Sequence, residues 1–431
     1  MSHLVVKKSR NCLALTVAMV CSLILLINIS FKIIALHGII FSASSVLCAI
    51  IASLYLFVLT DCSIDEQRHI LNQSLLSLYL FSIGIFLLVN LPADEYMRDN
   101  TAYQIVFEDI PRKFFAATLA YGLSFYLPHL FCCAKYKTIL TQVNYRFILA
   151  FSGGCAFFVL EFLLLFADLK IDNILRIYID SSMVNLIIIL LAGIVYFFAM
   201  IWPGKSREEG VNSVCVASTS YHYLISFAVT ILLICLACEY RLVNFANGWT
   251  LVASGILFPL VLMASNLIGE LYGYKANLRF AVILVVAELA FDVVLMLVIV
   301  LPAPDFFDLN PFYAFIMPRR IPATALGLLV SLMTNALLLH YLNKNNYYKQ
   351  RWLRIFFANI IVNSLLCMVN YSLLFAGIYP YEEIFNLVVN AWVYKFLVTL
   401  LLLPPMLWTY DILSKQKTAR ILSNKSAKRD Y

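Results

Sequence analysis

The chain has 431 residues, of which 63% are hydrophobic and 13% are charged, and its formal net charge is +7. Soluble domains carry about 25% charged residues, so this composition excludes a globular protein that covers itself with a solvated surface. The mean hydropathy of +0.88 indicates a polytopic membrane protein.

Twelve apolar runs approach or exceed the roughly 20 residues that a helix needs to cross the hydrocarbon core. The first half contains runs at 11–34, 38–59, 70–91, 114–133, 146–167 and 182–202. The second half contains runs at 221–243, 250–268, 280–301, 321–342, 354–378 and 386–410. The first run shows no small-residue cleavage site near its end, so we expect it to stay in the mature protein. The predicted fold class is an all-α polytopic membrane protein with about 12 transmembrane helices.

Two stretches of the chain, 109–128 and 315–335, match at a constant offset of 207 positions. The four identities in register are Pro111 with Pro318, Arg112 with Arg319, Ala116 with Ala323, and Ser124 with Ser331. Each half holds six spans, an even number, so both halves enter the membrane from the same side. The sequence therefore predicts two parallel six-helix repeats.

The predicted domain boundaries follow from this repeat. They are a first module at 1–204, a cytoplasmic linker at 205–219, a second module at 220–412 and a basic cytoplasmic tail at 413–431. With the N-terminus inside, 21 of the 31 basic residues fall in cytoplasmic segments, six of them from Lys415 onward. This bias predicts that both termini are cytoplasmic and favours a bacterial inner membrane. It also explains the net charge through contact with membrane lipids, without nucleic acid as a partner.

Ionisable side chains inside the apolar runs are the first candidates for function, since a charge in the membrane interior is costly unless it is paired or wetted. The second half contains Glu239, Glu288, Asp292 and Lys395, with Arg241 and Arg319 at span ends, and the first half contains Lys32, Asp61, Arg112 and Glu161. Glu288 and Asp292 are spaced i, i+4 and share a helical face. They form either a structural polar stripe or part of a coupling or substrate site. Lys395 is too far from both span ends to reach the interface easily, so it needs an acceptor or a substrate contact.

Arg319 and Arg320 stand at the outer end of the tenth run, directly after Pro318, a good residue for starting a helix. They either extend to lipid headgroups or hold a planar donor fork at the entrance of a site. Ser331 and Asn335 lie further along the same helix and offer polar groups to such a site.

The chain shows no sequence signature of an enzyme. It has no Walker loop, no H-E-x-x-H and no nucleophile elbow, and its six histidines are scattered. The eleven cysteines lie mostly within apolar runs, where they act as small packing residues. We therefore predict no catalytic residues, no metal site and no cofactor.

Four ordered segments of the second half carry a family resemblance. They read FPLVLMASNLIGELYGY (258–274), PRRIPATALGLLVSLMTN (318–335), MVNYSLLF (368–375) and VYKFLVTLLLLPPML (393–407). In this order they resemble the queuosine precursor transporters, also called the vitamin uptake transporter-like family, over about 221–410. The positions that match the family pattern are Phe258, Pro259, Glu270, Tyr272, Gly273, Arg319, Ser331, Lys395 and Pro404. Arg319 belongs to both the repeat and the family pattern, which makes it the favoured arginine.

The sequence departs from this pattern where the family carries acids. The family's aspartates read Asn266, Asn335 and Asn370, and its glutamine reads Leu332. Amides keep the hydrogen bonding but lose the charge, so a cationic group or a proton is not held there in the same way.

The first half looks like a more diverged copy of the same module. Its counterparts of the family residues are Asn28, Lys32, Asp61, Arg112 and Ser124, with Glu161 close to the position of Asn370 and Asn185 near that of Lys395. The second half keeps more of the motif, so we expect it to be the binding half.

The resemblance implies a membrane transporter that imports a queuosine precursor, a 7-deazapurine, or a similar nucleobase-like micronutrient. Movement is facilitated or coupled to protons or sodium. Phe258, Tyr272 and Tyr371 either stack on the flat substrate or pack as core or lipid-facing aromatics. Two alternatives are a substrate-binding subunit of an energy-coupling-factor vitamin transporter, which needs separate ATPase subunits, and a membrane scaffold that has lost transport.

Overall fold

The structure is a computed structural model, and it describes residues 2–92, 110–135, 142–166, 173–201, 219–239, 241–245, 249–303, 310–344 and 350–426. Within these ranges it contains 12 helices long and apolar enough to cross a membrane. This confirms the predicted all-α polytopic fold. Except for its last residue, the predicted linker at 205–219 lies outside the described residues.

Six helices come from each half of the chain. The first half gives α1 (Ser2–Ile29), α2 (Ala43–Asp61), α3 (Ile64–Val89), α4 (Ile110–Tyr121 and Leu127–Lys135, joined by a π-helical turn at Gly122–Tyr126), α5 (Val143–Phe166) and α6 (Ile174–Ile201). The second half gives α7 (Thr219–Ala237), α8 (Ala253–Tyr272), α9 (Tyr274–Val300), α10 (Asn310–Lys344), α11 (Arg351–Phe375) and α12 (Tyr381–Ser426).

A two-stranded antiparallel hairpin follows the first helix of each half. In the first half β1 (Ile33–Leu36) pairs with β2 (Ile39–Ser42), and in the second half β3 (Leu242–Phe245) pairs with β4 (Trp249–Val252). The sequence prediction extended helical runs into these strands and is wrong there, because a short apolar run does not distinguish a strand from a helix.

The residues at the turn of the first hairpin indicate its conformation. His37 and Gly38 both have positive φ, 49° and 85°, as a two-residue hairpin turn with the favoured twist requires. The β-branched residues on either side suit strands better than helices. The sequence around His37-Gly38 therefore favours a hairpin over a simple break between two spans.

The chain forms two compact units that do not coincide with its two halves. Unit 1 comprises Met1–Phe86, Thr101–Ser213 and Val293–Ala314, and unit 2 comprises Leu87–Asn100, Val214–Asp292 and Phe315–Tyr431. The C-terminal end of α3 is therefore part of unit 2, and the C-terminal end of α9 is part of unit 1. The sequence did not predict that each half supplies a helix end to the unit built mainly from the other half.

In unit 1, the first hairpin and the residue before it bind the end of α9. Lys32 donates from Nζ to the carbonyl oxygen of Ile299 at 2.7 Å, and the amide of Ala35 donates to the carbonyl oxygen of Pro302 at 2.9 Å. On the β2 edge, the amide of Ser42 donates to Oγ of Ser181 on α6 at 2.8 Å. Both hairpin edges thus have partners, as an apolar surrounding demands of backbone polar groups.

In unit 2, the second hairpin and the residue before it bind the end of α3 in the same way. Arg241 donates from one terminal nitrogen to the carbonyl oxygens of Val89 and Leu91, the latter at 2.6 Å. The amide of Asn244 donates to the carbonyl oxygen of Pro92 at 3.0 Å. A cation at the C-terminal end of a helix satisfies carbonyls that have no partner within the helix and offsets the helix dipole.

We expect Arg241→Ala to lower the free energy of unfolding by about 1–3 kcal/mol, because it leaves the partly buried carbonyl groups of Val89 and Leu91 without their donor. Arg176→Ala is the matched control. Arg176 also donates to a backbone carbonyl, that of Gly38, but 59% of its side chain is exposed. We expect its loss to cost less than about 1 kcal/mol. Melting temperatures in detergent measure both changes, and equal shifts would contradict the role given to Arg241.

Candidate functional site

A cavity lies inside unit 2, among helices α7, α8, α10, α11 and α12. Its empty volume, with the open mouth included, is about 370 Å³. Its polar lining consists of Glu239, Ser254, Thr324, Asn370, Tyr371 and Lys395. The helices that frame it pack directly, α8 against α7 and α12, and α11 against α12.

Lys395 supplies the cation of the cavity. It is 2% exposed, and its Nζ lies 5.4 Å from the ring centre of Phe258 and 5.1 Å from that of Tyr371. It donates to the weak acceptor Sγ of Cys367 at 3.4 Å. A lysine with three donors between two aromatic faces has capacity left for a ligand. The sequence predicts an acceptor or a substrate contact for Lys395, and the structure shows the weak acceptor Sγ of Cys367.

Glu239 supplies the carboxylate of the cavity, just beyond the end of α7. It is 2% exposed and accepts hydrogen bonds from Nδ2 of Asn370 at 3.2 Å and from Oγ1 of Thr324 at 3.1 Å. Burial raises the pKa of Glu239 from its ordinary 4.5 to about 7, although nearby Arg320 and the hydrogen bonds from Asn370 and Thr324 lower it. This carboxyl group therefore changes its charge near neutral pH.

Two further polar atoms of the cavity wall have no hydrogen-bond partner. They are Oδ1 of Asn370 and the hydroxyl of Tyr371, which is 1% exposed. A buried polar atom without a partner costs about 1–3 kcal/mol, so such atoms call for an explanation. A polar ligand in the cavity would supply the missing partners.

Gly255 on α8 allows the wall to close around these groups. A Cβ atom at this position would lie 2.7 Å from the hydroxyl of Tyr371 and 3.5 Å from Cε of Lys395. Any larger residue would therefore push into the phenol that lines the cavity. Sequence reasoning missed Gly255, because a glycine within an apolar run gives no sign of the side chain that it faces.

A charged cluster lies close to the cavity. Arg320 on α10 donates from Nε to Oδ2 of Asp292 at 3.3 Å and also from a terminal nitrogen to Oδ1. Its other terminal nitrogen donates to the carbonyl oxygen of Leu236 at 3.2 Å. Glu288, one turn before Asp292, is 0% exposed, and neither of its oxygens has a hydrogen-bond partner. The electrostatic neighbours of Glu288 are Asp292, Glu239 and Arg320.

The structure gives the interior position to Arg320 rather than to Arg319. Arg320 is 4% exposed, whereas Arg319 is partly exposed and donates to the carbonyl oxygen of Ala376 at 3.5 Å. The reason is helical geometry. A helix turns by about 100° per residue, so Arg320, Thr324 and Ser331 lie on one face of α10. The sequence favoured Arg319 because this residue belongs to both the repeat and the family pattern. Neither pattern indicates which face of the helix a residue occupies.

The predicted asparagines divide between two places. Asn370 lines the cavity, whereas Asn266 and Asn335 belong to a separate buried network. In that network Nδ2 of Asn335 donates to Oγ of Ser265 at 2.8 Å and to Oδ1 of Asn266 at 3.0 Å. Asn266 in turn donates to Asn359 at 2.9 Å. These amides tie α8, α10 and α11 together and do not line the cavity.

Two other predicted residues of the second half also have structural partners outside the cavity. Glu270 accepts from Arg354 at 3.1 Å and lies 4.0 Å from Arg351. Ser331 is buried and donates to the carbonyl oxygen of Leu328 within its own helix at 3.1 Å. Their contacts account for them without a ligand.

The predicted residues of the first half do not form one cluster in the described structure. Lys32 binds the end of α9, and Arg112 donates from Nε to the carbonyl oxygen of Leu164 at 3.4 Å. Asp61 ends α2. Glu161 is 1% exposed, and its Oε2 has no hydrogen-bond partner. Within unit 1, Glu161 is thus the candidate whose buried carboxyl group is not fully hydrogen-bonded by its described neighbours.

One family model matches part of the second half. Residues 252–409 match the family model described as "Putative vitamin uptake transporter". The match covers less than half of the chain and includes Gly255, Asn370 and Lys395, but not Glu239. No curated protein and no solved structure matches the chain. Together with the twelve spans, the family match supports a membrane uptake transporter with a small-molecule substrate.

We expect Gly255→Ala to lower the free energy of unfolding by about 1–3 kcal/mol, because the added methyl group overlaps the buried hydroxyl of Tyr371. Gly122→Ala is the matched control, since a Cβ atom at Gly122 meets nothing within 4 Å. Thermal unfolding in detergent measures both. A melting temperature of Gly255→Ala equal to that of the wild type would contradict the close packing at the cavity wall.

The raised pKa of Glu239 predicts a pH dependence of stability. The unfolded chain releases this proton near pH 4.5, whereas the folded chain keeps it until about pH 7. The contribution of Glu239 to stability is therefore present below about pH 4.5 and is lost as the pH rises to about 7. We expect Glu239→Gln to make the melting temperature less sensitive to pH in this window. Glu382→Gln, at an exposed position, should leave the slope unchanged.

Proposed function

We propose that the protein imports a queuosine precursor, a 7-deazapurine, or a similar nucleobase-like micronutrient across the bacterial inner membrane, with both termini in the cytoplasm. The observation that carries the proposal is the buried cavity of unit 2. It combines one carboxyl group, one ammonium group, unsatisfied polar atoms and two aromatic rings. The match to an uptake transporter family supports the direction of transport.

The chemistry of a guanine-like ring fits this lining. Its N–H edge offers two parallel donors, which a carboxylate such as Glu239 accepts side by side. Its carbonyl oxygen is an acceptor for Lys395, and its amino groups are donors for the free Oδ1 of Asn370. The rings of Phe258 and Tyr371 supply apolar surface for the flat face. Glu239, Lys395 and Asn370 thus each have a complementary group on this substrate class.

The division of labour between the halves is also part of the proposal. The strands β1 and β3 follow the first helix of their halves, and Lys32 and Arg241 precede them at equivalent places. These correspondences support two parallel repeats with boundaries at 1–204 and 220–412. The cavity uses residues of the second repeat alone, which supports that repeat as the binding half. The first repeat then serves as the scaffold against which the second moves, with movement facilitated or coupled to an ion.

We expect this chain, without partner subunits, to restore queuosine in the tRNA of a host that lacks precursor transport. Lys395→Met should reduce precursor uptake at least tenfold, because it removes the buried ammonium group that faces the cavity. Lys344→Met is the matched control, since Lys344 is exposed in the last turn of α10. Uptake of labelled precursor and queuosine content of tRNA are the two measurements.

The same assay separates the alternatives. Uptake that appears only with added ATPase subunits would identify a substrate-binding subunit of an energy-coupling-factor transporter. No uptake under either condition, with Lys395→Met and Arg319→Ala both without phenotype, would favour a scaffold that has lost transport. Surface expression of every variant is measured in parallel, so that loss of protein is not counted as loss of transport.

A further inference from the structure

Glu288 is the buried acid that the proposed substrate site does not use. It lies on α9 with 0% exposure, outside the lining of the cavity, and neither carboxyl oxygen has a hydrogen-bond partner among the described residues. A buried ionised carboxylate without partners costs several kcal/mol. In this conformation a neutral, protonated Glu288 is the form that its surroundings allow.

The charges around Glu288 lead to the same conclusion. Three buried acids, Glu239, Glu288 and Asp292, share one buried arginine, Arg320, as an electrostatic neighbour or partner. The guanidinium group of Arg320 is held by both oxygens of Asp292. Glu239 accepts from Thr324 and Asn370, so it has neutral donors of its own. Of the three acids, Glu288 alone accepts no hydrogen bond from a described residue, and a bound proton removes its charge.

We propose that Glu288 is a proton-binding site and that the proton it carries is the coupling ion of transport. This inference rests on the proposed uptake function and specifies its energy source. It selects protons over sodium, because a sodium site needs several oxygen ligands around the ion, whereas neither oxygen of Glu288 has a hydrogen-bond partner among the described residues.

Arg320 provides the physical link between the proton and the substrate cavity. It bridges Asp292 on α9 and the carbonyl oxygen of Leu236 near the end of α7, three residues before Glu239. When Glu288 loses its proton to water, its carboxylate lies one helical turn from Asp292 and competes for the same guanidinium group. Movement of Arg320 toward Glu288 would release the end of α7 and change the position and charge of Glu239.

The proposed cycle follows from this competition. With Glu288 protonated, Arg320 stays with Asp292 and Leu236, and the arrangement around Glu239 is the one observed. When Glu288 opens to the cytoplasm, its O–H bond breaks, the proton passes to water, and the carboxylate draws Arg320 away. Substrate binding at Glu239 favours the protonated state of Glu288, since both acids share the field of one arginine. One proton thus accompanies each substrate inward.

Infrared spectroscopy of the purified protein in lipid tests the proton site without any substrate. The wild type should show the carbonyl stretch of a protonated carboxylic acid at pH 7, and part of this band should disappear in Glu288→Gln. Glu288→Asp should shift that component instead, which keeps the test decisive if Glu288→Gln does not fold. Glu382→Gln is the matched control for an exposed acid, and Glu161→Gln identifies the contribution of the buried acid of unit 1. A full band in folded Glu288→Gln would overturn the proposal.

Transport in proteoliposomes tests the coupling. Wild-type protein should accumulate a labelled deazaguanine precursor about tenfold per pH unit of gradient, as one proton per substrate requires, with no response to a sodium gradient. Glu288→Gln should lose this accumulation and retain exchange of internal for external precursor. Accumulation that follows sodium, or that persists in Glu288→Gln, would overturn the assignment. If the wild type takes up no precursor, the proposed substrate fails, and the infrared band still decides whether Glu288 holds a proton.

Discussion

The cost of an unsatisfied polar group in an apolar interior governs this structure. Lys32 and Arg241 donate to carbonyl groups at the ends of α9 and α3, whose partners are not available within the helix. Arg320 offsets the charge of Asp292, and Arg354 offsets that of Glu270. Hydrogen-bonded buried polar groups of this kind hold helices in place. Polar groups without such partners then stand out as sites for a ligand or a proton.

Lys395, Tyr371 and Asn370 are polar residues whose hydrogen-bonding capacity is used only in part. They are buried side by side, face one cavity and leave donors and acceptors unused. Glu239 joins them with a carboxyl group whose pKa lies near neutrality because of its burial. One acid, one cation and aromatic walls are the groups that the proposed function assigns to recognition of a planar polar molecule, and the family match supports a small-molecule substrate.

Each half of the chain contributes a structural element to the unit built mainly from the other half. The ends of α3 and α9 belong to units 2 and 1, where they meet the residue before a hairpin and the first strand of that hairpin. The two units make the same kinds of contact. In each unit, a cationic side chain and a strand amide donate to carbonyl groups at the end of a helix. A chain that had only one half would lack the carbonyl groups that Lys32 or Arg241 binds. This gives a physical reason for keeping both halves in one chain.

The sequence alone determined the class of protein, the number of spans and the short set of buried ionisable residues, because hydrophobic length and the rarity of charge in lipid are local properties. It also identified Lys395 and Asn370, two residues of the cavity. Only the tertiary structure separated these from Asn266 and Asn335, since one amide lines the cavity and the others bond to polar side chains of neighbouring helices. It also decided between Arg319 and Arg320, and it brought Glu239 and Gly255 to the cavity. Those outcomes depend on which helix faces which, and no short stretch of sequence contains that information.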